Sequence, residues 1–363
     1  MAHCRKTQLS IFLTGRCNLN CRYCYVGDKT IDGVPVTIDF SFVKRAIIDF
    51  FASYESREIR FFAMGEPTCE FSLMSQIRQW VIENTEDMCK FELQTNGFFS
   101  ARIAEWMAKN VDIVWISCDG PSAIQNYYRP TKSGRPSSDI VEKNIKYLAS
   151  QAIVLGCRAT IGAKNVEKQK EMIDYFYSLG VKVVMSDPMF APVELPNGEK
   201  LEEPADLREY ADHFLGAREY AIGKGMFYGS ILTSNFDEET EYACRACIPY
   251  PHLTTDGYVT ACDMAFVGSD LKMADLIYGR YVPEKDIIEY DQNKIKLIQS
   301  RAVSNMPCCQ DCGIKKHCAG ACLGEALNET GSMFGIKPEV CKAIRYLAER
   351  MPLNQGLYPH LHP

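Results

Sequence analysis

From Gln8 to about Gly225, the chain alternates between two hydrophobic patterns. Short apolar runs, typical of buried strands, are followed by segments in which apolar residues recur every three or four positions, as on one face of a helix. In segment 40–54 this apolar face comprises Phe42, Val43, Ala46, Ile47 and Phe50. The patterns predict strands at 9–13, 58–64, 90–94, 112–117, 155–161 and 181–185, and helices at 40–54, 73–84, 101–109, 139–150 and 168–179.

This alternation of strands and helices predicts an α/β fold with a parallel sheet. Because parallel crossovers are right-handed, we expect the sheet to curl toward a barrel with its helices outside and ligands at the carboxyl ends of its strands. Segment 205–223 predicts a further long helix that closes this unit. The alternation then stops, so we expect one domain at 1–225, a cysteine-rich domain at 226–350 and a tail at 351–363.

Composition and charge exclude several classes of partner. The net charge of -6 and the pI near 5.7 argue against nucleic-acid binding, which needs a basic surface. No apolar run has transmembrane length, and the N-terminus lacks the apolar region of a signal peptide. We therefore expect a cytoplasmic protein without a membrane partner.

Cysteine is the most informative residue type, with 17 in 363 residues. A chain without an export signal meets a reducing environment, so metal ligation is favoured over a disulfide scaffold. Cys17, Cys21 and Cys24 crowd a loop directly after the first predicted strand, and most of the others follow Cys244. Three neighbouring thiolates can converge on one soft metal centre. A four-iron cubane held by three protein ligands keeps one iron open for another ligand. The alternative interpretations of the three cysteines are half of a zinc site or buried structural thiols.

With Tyr23 directly before Cys24, the loop resembles the cluster motif of radical S-adenosylmethionine (SAM) enzymes. The resemblance implies a partial (β/α)6 TIM-like barrel and a 4Fe–4S cluster whose open iron is chelated by SAM. It also implies reductive cleavage of SAM to a 5′-deoxyadenosyl radical.

Two further motifs resemble SAM-binding elements of that family. Met64-Gly65-Glu66-Pro67 is similar to the Gly-Gly-Glu-Pro loop, with Met64 in place of the first glycine, and implies that Gly65 and Glu66 receive the SAM amino group. Ser117 and Arg129 lie where the family contacts SAM, although Gln125-Asn126 replaces the usual His-Asp. A plain turn and a solvated arginine are the alternatives.

The cysteine-rich part resembles the SPASM extension of radical SAM enzymes, which holds two auxiliary 4Fe–4S clusters. Eight thiolates are needed, and Cys244 supplies the eighth beside the seven of the motif. The resemblance implies an inner set of Cys244, Cys247, Cys262 and Cys322, and an outer set of Cys309, Cys312, Cys318 and Cys341. Together with the cluster of the Cys17 loop, the resemblance implies three 4Fe–4S clusters. Two structural zinc sites are the alternative, and Cys308 competes with Cys309 as a ligand.

Asp263 directly follows Cys262. In sulfatase-maturating enzymes, which share the extension, an aspartate at the matching place takes a proton from the substrate. The resemblance therefore implies a catalytic base, whereas a carboxylate capping loop amides around a cluster is the equally weighted alternative.

Together these motifs predict a radical SAM/SPASM oxidoreductase that oxidatively modifies a peptide or unfolded protein, as in RiPP-type maturation. We expect an external electron donor such as flavodoxin or ferredoxin. Because the cluster motif starts at Cys17, we expect no leader-binding domain upstream, so either a separate protein binds the leader or the barrel binds the peptide directly. The alternative is an anaerobic sulfatase-maturating enzyme that forms formylglycine from Ser or Cys. A non-catalytic electron carrier is a third hypothesis, against which the Gly65-Glu66-Pro67 loop argues.

Overall fold

The computed structural model describes residues 7–24, 26, 34, 36–62, 64–85, 88–191, 193–194 and 200–354. Cys4 and residues 355–363 of the predicted tail lie outside the described residues. In the described part, the long patterned segment forms a mixed α/β unit and the cysteine-rich segment packs along one edge of its sheet.

All six predicted strands are present, and they pair side by side in parallel in the order of the chain. The first, Leu9–Phe12, is buried at every residue, as expected for a strand with helices on one side and a filled interior on the other. The six strands are β1 Leu9–Phe12, β2 Glu58–Phe62, β3 Lys90–Thr95, β4 Ile113–Ser117, β5 Val154–Ile161 and β6 Val183–Pro188.

The predicted helices are also present, with bounds shifted by one or two residues. In the first, the five apolar residues of the predicted face are the buried ones, and Asp39 caps its start by accepting from the Phe42 N–H at 2.9 Å. The helix at 122–128 was not predicted. The helices are α1 Phe40–Ser53, α2 Phe71–Asn84, α3 Ala101–Asn110, α4 Ser122–Tyr128, α5 Ser138–Ala149, α6 Gln169–Ser178 and α7 Leu207–Gly223.

The main sheet extends beyond the six predicted strands at both edges. After a two-stranded hairpin, β7 Val193–Glu194 and β8 Lys200–Glu202, strand β9 Phe227–Gly229 joins β6 in parallel. At the other edge, β10 runs parallel to β1 and continues into an antiparallel meander. The order β13-β12-β11-β10-β1-β2-β3-β4-β5-β6-β9 is linear, so the sheet of the described residues does not close. These strands are β10 His252–Leu253, β11 Tyr258–Thr260, β12 Ile277–Val282 and β13 Ile287–Tyr290.

Four further helices carry or flank the C-terminal cysteines. The last of them packs on α7, where the ring of Tyr346 lies between the guanidinium groups of Arg208 and Arg350, with centroid distances of 3.5 and 3.6 Å. None of the described helices is both long and apolar enough to cross a lipid bilayer. The four are α8 Gln292–Gln299, α9 Lys315–Cys318, α10 Leu323–Thr330 and α11 Pro338–Ala348.

Candidate functional site

A cavity of about 720 Å³ opens at the carboxyl ends of β1–β6 and extends to the cysteine-rich segment. Its size is that of a pocket for a small ligand, and parallel sheets place their ligands at this edge. The wall of this single cavity includes Cys17, Cys21 and Cys24 from the first loop, Asp263, and four later cysteines, namely Cys244, Cys262, Cys318 and Cys322.

The loop that follows β1 carries the first three thiols, and its backbone is hydrogen-bonded to the end of α4 and to the residues that follow it. Asn20 N–H donates to the Pro130 carbonyl and Arg22 N–H to the Tyr128 carbonyl, each at 2.8 Å. Cys17 is buried, while Cys21 and Cys24 are half-buried, and none of the three forms a disulfide. The structure therefore brings the three predicted ligands together at one wall of the cavity.

Gly65 sits where two backbones nearly touch. Its N–H donates to the Thr14 carbonyl at 3.0 Å, and a Cβ at this position would lie only 2.1 Å from the Arg16 carbonyl oxygen. Only glycine fits against another backbone at this separation. The sequence predicted close approach of this glycine to a ligand, whereas the structure shows close approach to the loop that carries Cys17.

Replacing Gly65 by alanine should therefore disturb the cysteine loop itself. We expect a loss of about 1–3 kcal/mol of stability from overpacking, together with reduced iron binding at the first cluster site. Thermal unfolding and iron content would measure both effects. Gly223→Ala is the matched control, because a Cβ there meets no atom within 4 Å. A Gly65→Ala variant with the parent's stability and iron content would contradict this account.

Glu66 is 1% exposed and almost fully hydrogen-bonded. Its Oε1 accepts from the N–H and hydroxyl of Thr68 at 3.0 and 2.7 Å and from the Thr95 hydroxyl at 2.7 Å, while Oε2 accepts from the Asn96 N–H at 2.6 Å. Burial raises the pKa of Glu66, although these hydrogen bonds oppose the shift. The carboxylate thus ties the loop after β2 to the end of β3.

Arg129 and Ser117 both line the cavity. Arg129 is buried and forms a two-point ion pair with Asp119, at 2.9 and 3.2 Å, while its guanidinium lies 5.1 Å from the centre of the Tyr23 ring. The Tyr23 hydroxyl donates to the same carboxylate. Burial lowers the pKa of Arg129, but Asp119, Tyr23 and Cys21 together outweigh burial and the net pKa is raised well above its ordinary value. The alternative of a solvated arginine is wrong, because this arginine is held inside the site.

Asp263 lies at the opposite wall, and its side chain remains 34% exposed to the cavity. Arg60 Nη2 donates to its Oδ2 at 3.2 Å, and His252 Nε2 lies 2.9 Å from its Oδ1. Arg245 Nη2 is 3.9 Å from the same oxygen. Burial alone would raise the pKa of Asp263, but the neighbouring cations lower it well below its ordinary value. The group is therefore an ionised carboxylate at neutral pH, held by side chains.

Sequence reasoning missed the partners of Asp263 and the anchor of Arg129. Arg60 lies between Ile59 and Phe61 in the strand Glu58–Phe62, and a charge flanked by apolar residues in a strand was a signal of a polar site inside the sheet. His252 and Arg245 gave no such signal. Asp119 was quoted within a motif but was assigned no role.

The inner set of predicted auxiliary ligands comes together beside the cavity. Burial raises the pKa of Cys262 well above its ordinary value, and the neighbouring Cys322 and Cys244 thiols raise it further. A hydrogen bond with Cys244 is the main cause that lowers the pKa of Cys247 to about 7. These four thiols therefore form one interacting group.

The outer set forms a second group. Burial raises the pKa of Cys309 to about 12, and the neighbouring Cys308, Cys318 and Cys312 raise it further. Cys341 adds to the raised pKa of Cys318 in the same way. Cys308 is exposed whereas Cys309 is buried, which favours Cys309 as the member that faces the group. In the described part of the chain, no three thiols have all their sulfur atoms within 4.8 Å of one another.

Comparison with known proteins identifies a family match and several relatives. Residues 11–176 match the radical SAM superfamily. A 182-residue stretch is 33% identical to the uncharacterised protein MJ0907 of Methanocaldococcus jannaschii, covering 49% of this chain and 61% of that protein. A 233-residue stretch is 23% identical to a serine-type anaerobic sulfatase-maturating enzyme of Bacteroides thetaiotaomicron, covering 61% and 54%. The chain thus spans less than two thirds of either relative.

Solved structures resemble nearly the whole chain in fold. The structure described as anSMEcpe with bound AdoMet superposes with a TM-score of 0.71 at 18% identity, covering 98% of this chain and 99% of that one. SuiB of Streptococcus suis bound to precursor peptide SuiA gives 0.63 at 19% identity, covering 93% and 76%. At these identities the likeness concerns the fold, and it confirms the predicted fold class.

Proposed function

We propose that this chain, whose residues 11–176 match the radical SAM superfamily, uses a SAM-derived radical to modify a peptide substrate oxidatively. The single observation that carries the proposal is the continuity of the cavity. It joins the three thiols of the Cys17 loop, the carboxylate of Asp263 and thiols of the C-terminal groups in one space. A substrate bound there would contact every part of the proposed machinery.

The residues present fit the cofactors that the radical SAM family implies, a 4Fe–4S cluster and SAM. Cys17, Cys21 and Cys24 supply three thiols outside any disulfide at the cavity wall, which is the donor set of a cluster with one unligated iron. When bound, the cluster and SAM would supply the 5′-deoxyadenosyl radical. We assign Gly65 and Glu66 to the SAM-facing loop, because Oε2 of Glu66 accepts one hydrogen bond and retains capacity for another. Ser117 and Arg129 form the facing wall.

We propose that the inner and outer thiol groups hold two auxiliary clusters, giving three in all. Around one zinc ion, thiolates bonded at about 2.3 Å would lie about 3.8 Å apart. The wider spread of the described thiols supports clusters over single ions. The reduction potentials of such clusters depend on hydrogen bonds and burial, so the protein can tune them to accept an electron from a substrate radical.

Asp263 is the proposed proton acceptor for this oxidation. Its contacts among the described residues are with Arg60, His252 and Arg245 side chains, which argues against a role in capping loop amides. The carboxylate is ionised, faces the cavity and follows a proposed cluster ligand, Cys262. It is therefore placed to take a proton from the substrate, and a cluster held by the inner set of thiols would supply the acceptor for the electron.

The substrate class is proposed from the relatives. SuiB was solved with a precursor peptide and anSMEcpe with the Cp18Cys peptide, so folds of this kind admit peptides. A peptide partner, an external donor such as flavodoxin or ferredoxin, and a separate leader-binding protein are the partners we propose.

Sulfatase maturation is the second candidate, favoured by the sulfatase-maturating relative and the full-length likeness to anSMEcpe. One assay distinguishes the two candidate functions. A serine-containing peptide with the sequence of a sulfatase is incubated anaerobically with the protein, SAM and a reductant. Our first candidate predicts 5′-deoxyadenosine without a change in the mass of this peptide. Loss of two hydrogen atoms from the peptide would instead establish formylglycine formation and displace the first candidate.

A further inference from the structure

Arg301 is fully buried and bonded only to backbone carbonyls in the described part of the chain. Its Nε donates to the Met333 carbonyl at 2.9 Å and its Nη1 to the Ala319 carbonyl at 2.7 Å. Nη2 donates to the Gly320 carbonyl at 2.5 Å and approaches that of Ala321 at 3.4 Å. The guanidinium thus contacts consecutive backbone carbonyls of the segment that joins Cys318 to Cys322.

This buried cation has no carboxylate within 4.0 Å among the described residues, unlike the cavity arginines. A buried charge that lacks an opposite charge is strongly destabilising. The observed partners of Arg301 include backbone carbonyls on the segment between Cys318, an outer-set thiol, and Cys322, an inner-set thiol. Arg301 therefore places a positive charge on the segment that connects the two thiol groups.

The segment that Arg301 holds has an unusual backbone. Ala319, Gly320 and Ala321 have consecutive positive φ angles of 49, 79 and 58°. Alanine rarely adopts this left-handed conformation, which persists only where the surroundings enforce it. With the carbonyls turned to Arg301, the Ala321 N–H donates to the Cys318 carbonyl at 3.1 Å. A Cβ on Gly320 would lie 2.6 Å from Arg301 Nη1, so glycine is what lets the guanidinium approach.

We propose that Arg301 is the positioning residue of the two auxiliary centres. It fixes the loop that presents Cys318 and Cys322 to different clusters, and it supplies the positive charge that balances them. This inference rests on the proposed function, because it takes the two thiol groups as cluster ligands. A cation close to a cluster stabilises its more negative, reduced form, so Arg301 should raise the reduction potential of the cluster.

The test uses the full chain with Cys17, Cys21 and Cys24 all replaced by alanine, so that only auxiliary clusters remain. In this background Arg301→Met removes charge and hydrogen bonds, Arg301→Lys keeps the charge, and Gly320→Ala keeps the charge but blocks the approach. Surface controls are Arg350→Met and Gly223→Ala. Iron and sulfide content, thermal unfolding, and potentiometric titration followed by electron paramagnetic resonance are measured for each.

We expect Arg301→Met to lose about half of the auxiliary iron or to shift at least one cluster to a more negative midpoint potential. Arg301→Lys and Gly320→Ala should shift the midpoint potential in the same direction but by a smaller amount. The two surface controls should have the iron content and the potentials of the background chain. A folded Arg301→Met chain with the background's iron and potentials would overturn the inference. If Arg301→Met fails to fold, unchanged potentials in both other variants would overturn it. A background chain without auxiliary iron would instead refute the proposed clusters.

Discussion

Cys21→Ala should abolish SAM cleavage while the protein keeps about two-thirds of its iron, since one of three four-iron clusters would be lost. Cys21 lies in the loop after β1, half-buried at the cavity wall, and is one of three thiols there. Two thiolates cannot hold a cubane with an open iron, so no site for SAM activation would form. The C-terminal thiol groups are built from other segments and should fill as before. Iron and sulfide analysis, together with chromatography of 5′-deoxyadenosine, measures both outcomes.

Cys69→Ala is the matched control, because Cys69 is an exposed thiol with no proposed role. It should retain both the iron and the SAM cleavage of the parent. Continued formation of 5′-deoxyadenosine by the Cys21→Ala protein would contradict the assignment of this loop. Complete loss of iron from that variant would contradict the independence of the auxiliary sites.

Asp263→Asn should uncouple radical formation from product formation. The substitution preserves the size of the side chain but removes the charge that faces Arg60 and His252 and the ability to take a proton. Because general-base catalysis contributes about 10²–10⁴-fold, product should fall by about a hundredfold or more, while 5′-deoxyadenosine is still formed. Since the neighbouring cations hold the pKa of Asp263 well below its ordinary value, no loss of activity from its protonation is expected near neutral pH.

Asp275→Asn, on an exposed carboxylate of the same segment, provides the control and should leave both quantities unchanged. Mass spectrometry of the peptide product, normalised to 5′-deoxyadenosine, is the measurement, once a substrate peptide is in hand. The sulfatase serine peptide serves if the second candidate is correct. Product at the parent's level from Asp263→Asn would remove the proton-acceptor role.

The sequence predicted the central fold because buried parallel strands and amphipathic helices leave strong periodic patterns. The apolar face of α1, from Phe42 to Phe50, was predicted residue by residue. The strands β9 to β13 were not predicted, and three of them, β9, β10 and β11, have only two or three residues. Strands of that length have no detectable period, and they form because an existing sheet offers an edge with which to pair.

The same distinction separates the predicted and missed parts of the candidate site. Cysteine spacing is local, so the grouping of thiols could be proposed from the chain alone. The environment of Asp263 depends on Arg60, which is 203 positions away, and on where β10 places His252 beside β1. Likewise, the close contact of Gly65 with the Arg16 carbonyl depends on how two loops cross. Such contacts are consequences of the fold and leave no spacing signal.

The central claim is that the thiols of the Cys17 loop support reductive cleavage of SAM. The most direct measurement is 5′-deoxyadenosine formed by anaerobically reconstituted protein given SAM and dithionite, alongside the metal content of the same sample. The account predicts iron and sulfide in the protein and steady formation of 5′-deoxyadenosine. Fully iron-loaded protein that forms none would contradict it and favour an electron carrier, and protein that carries zinc instead of iron would contradict it at the first step.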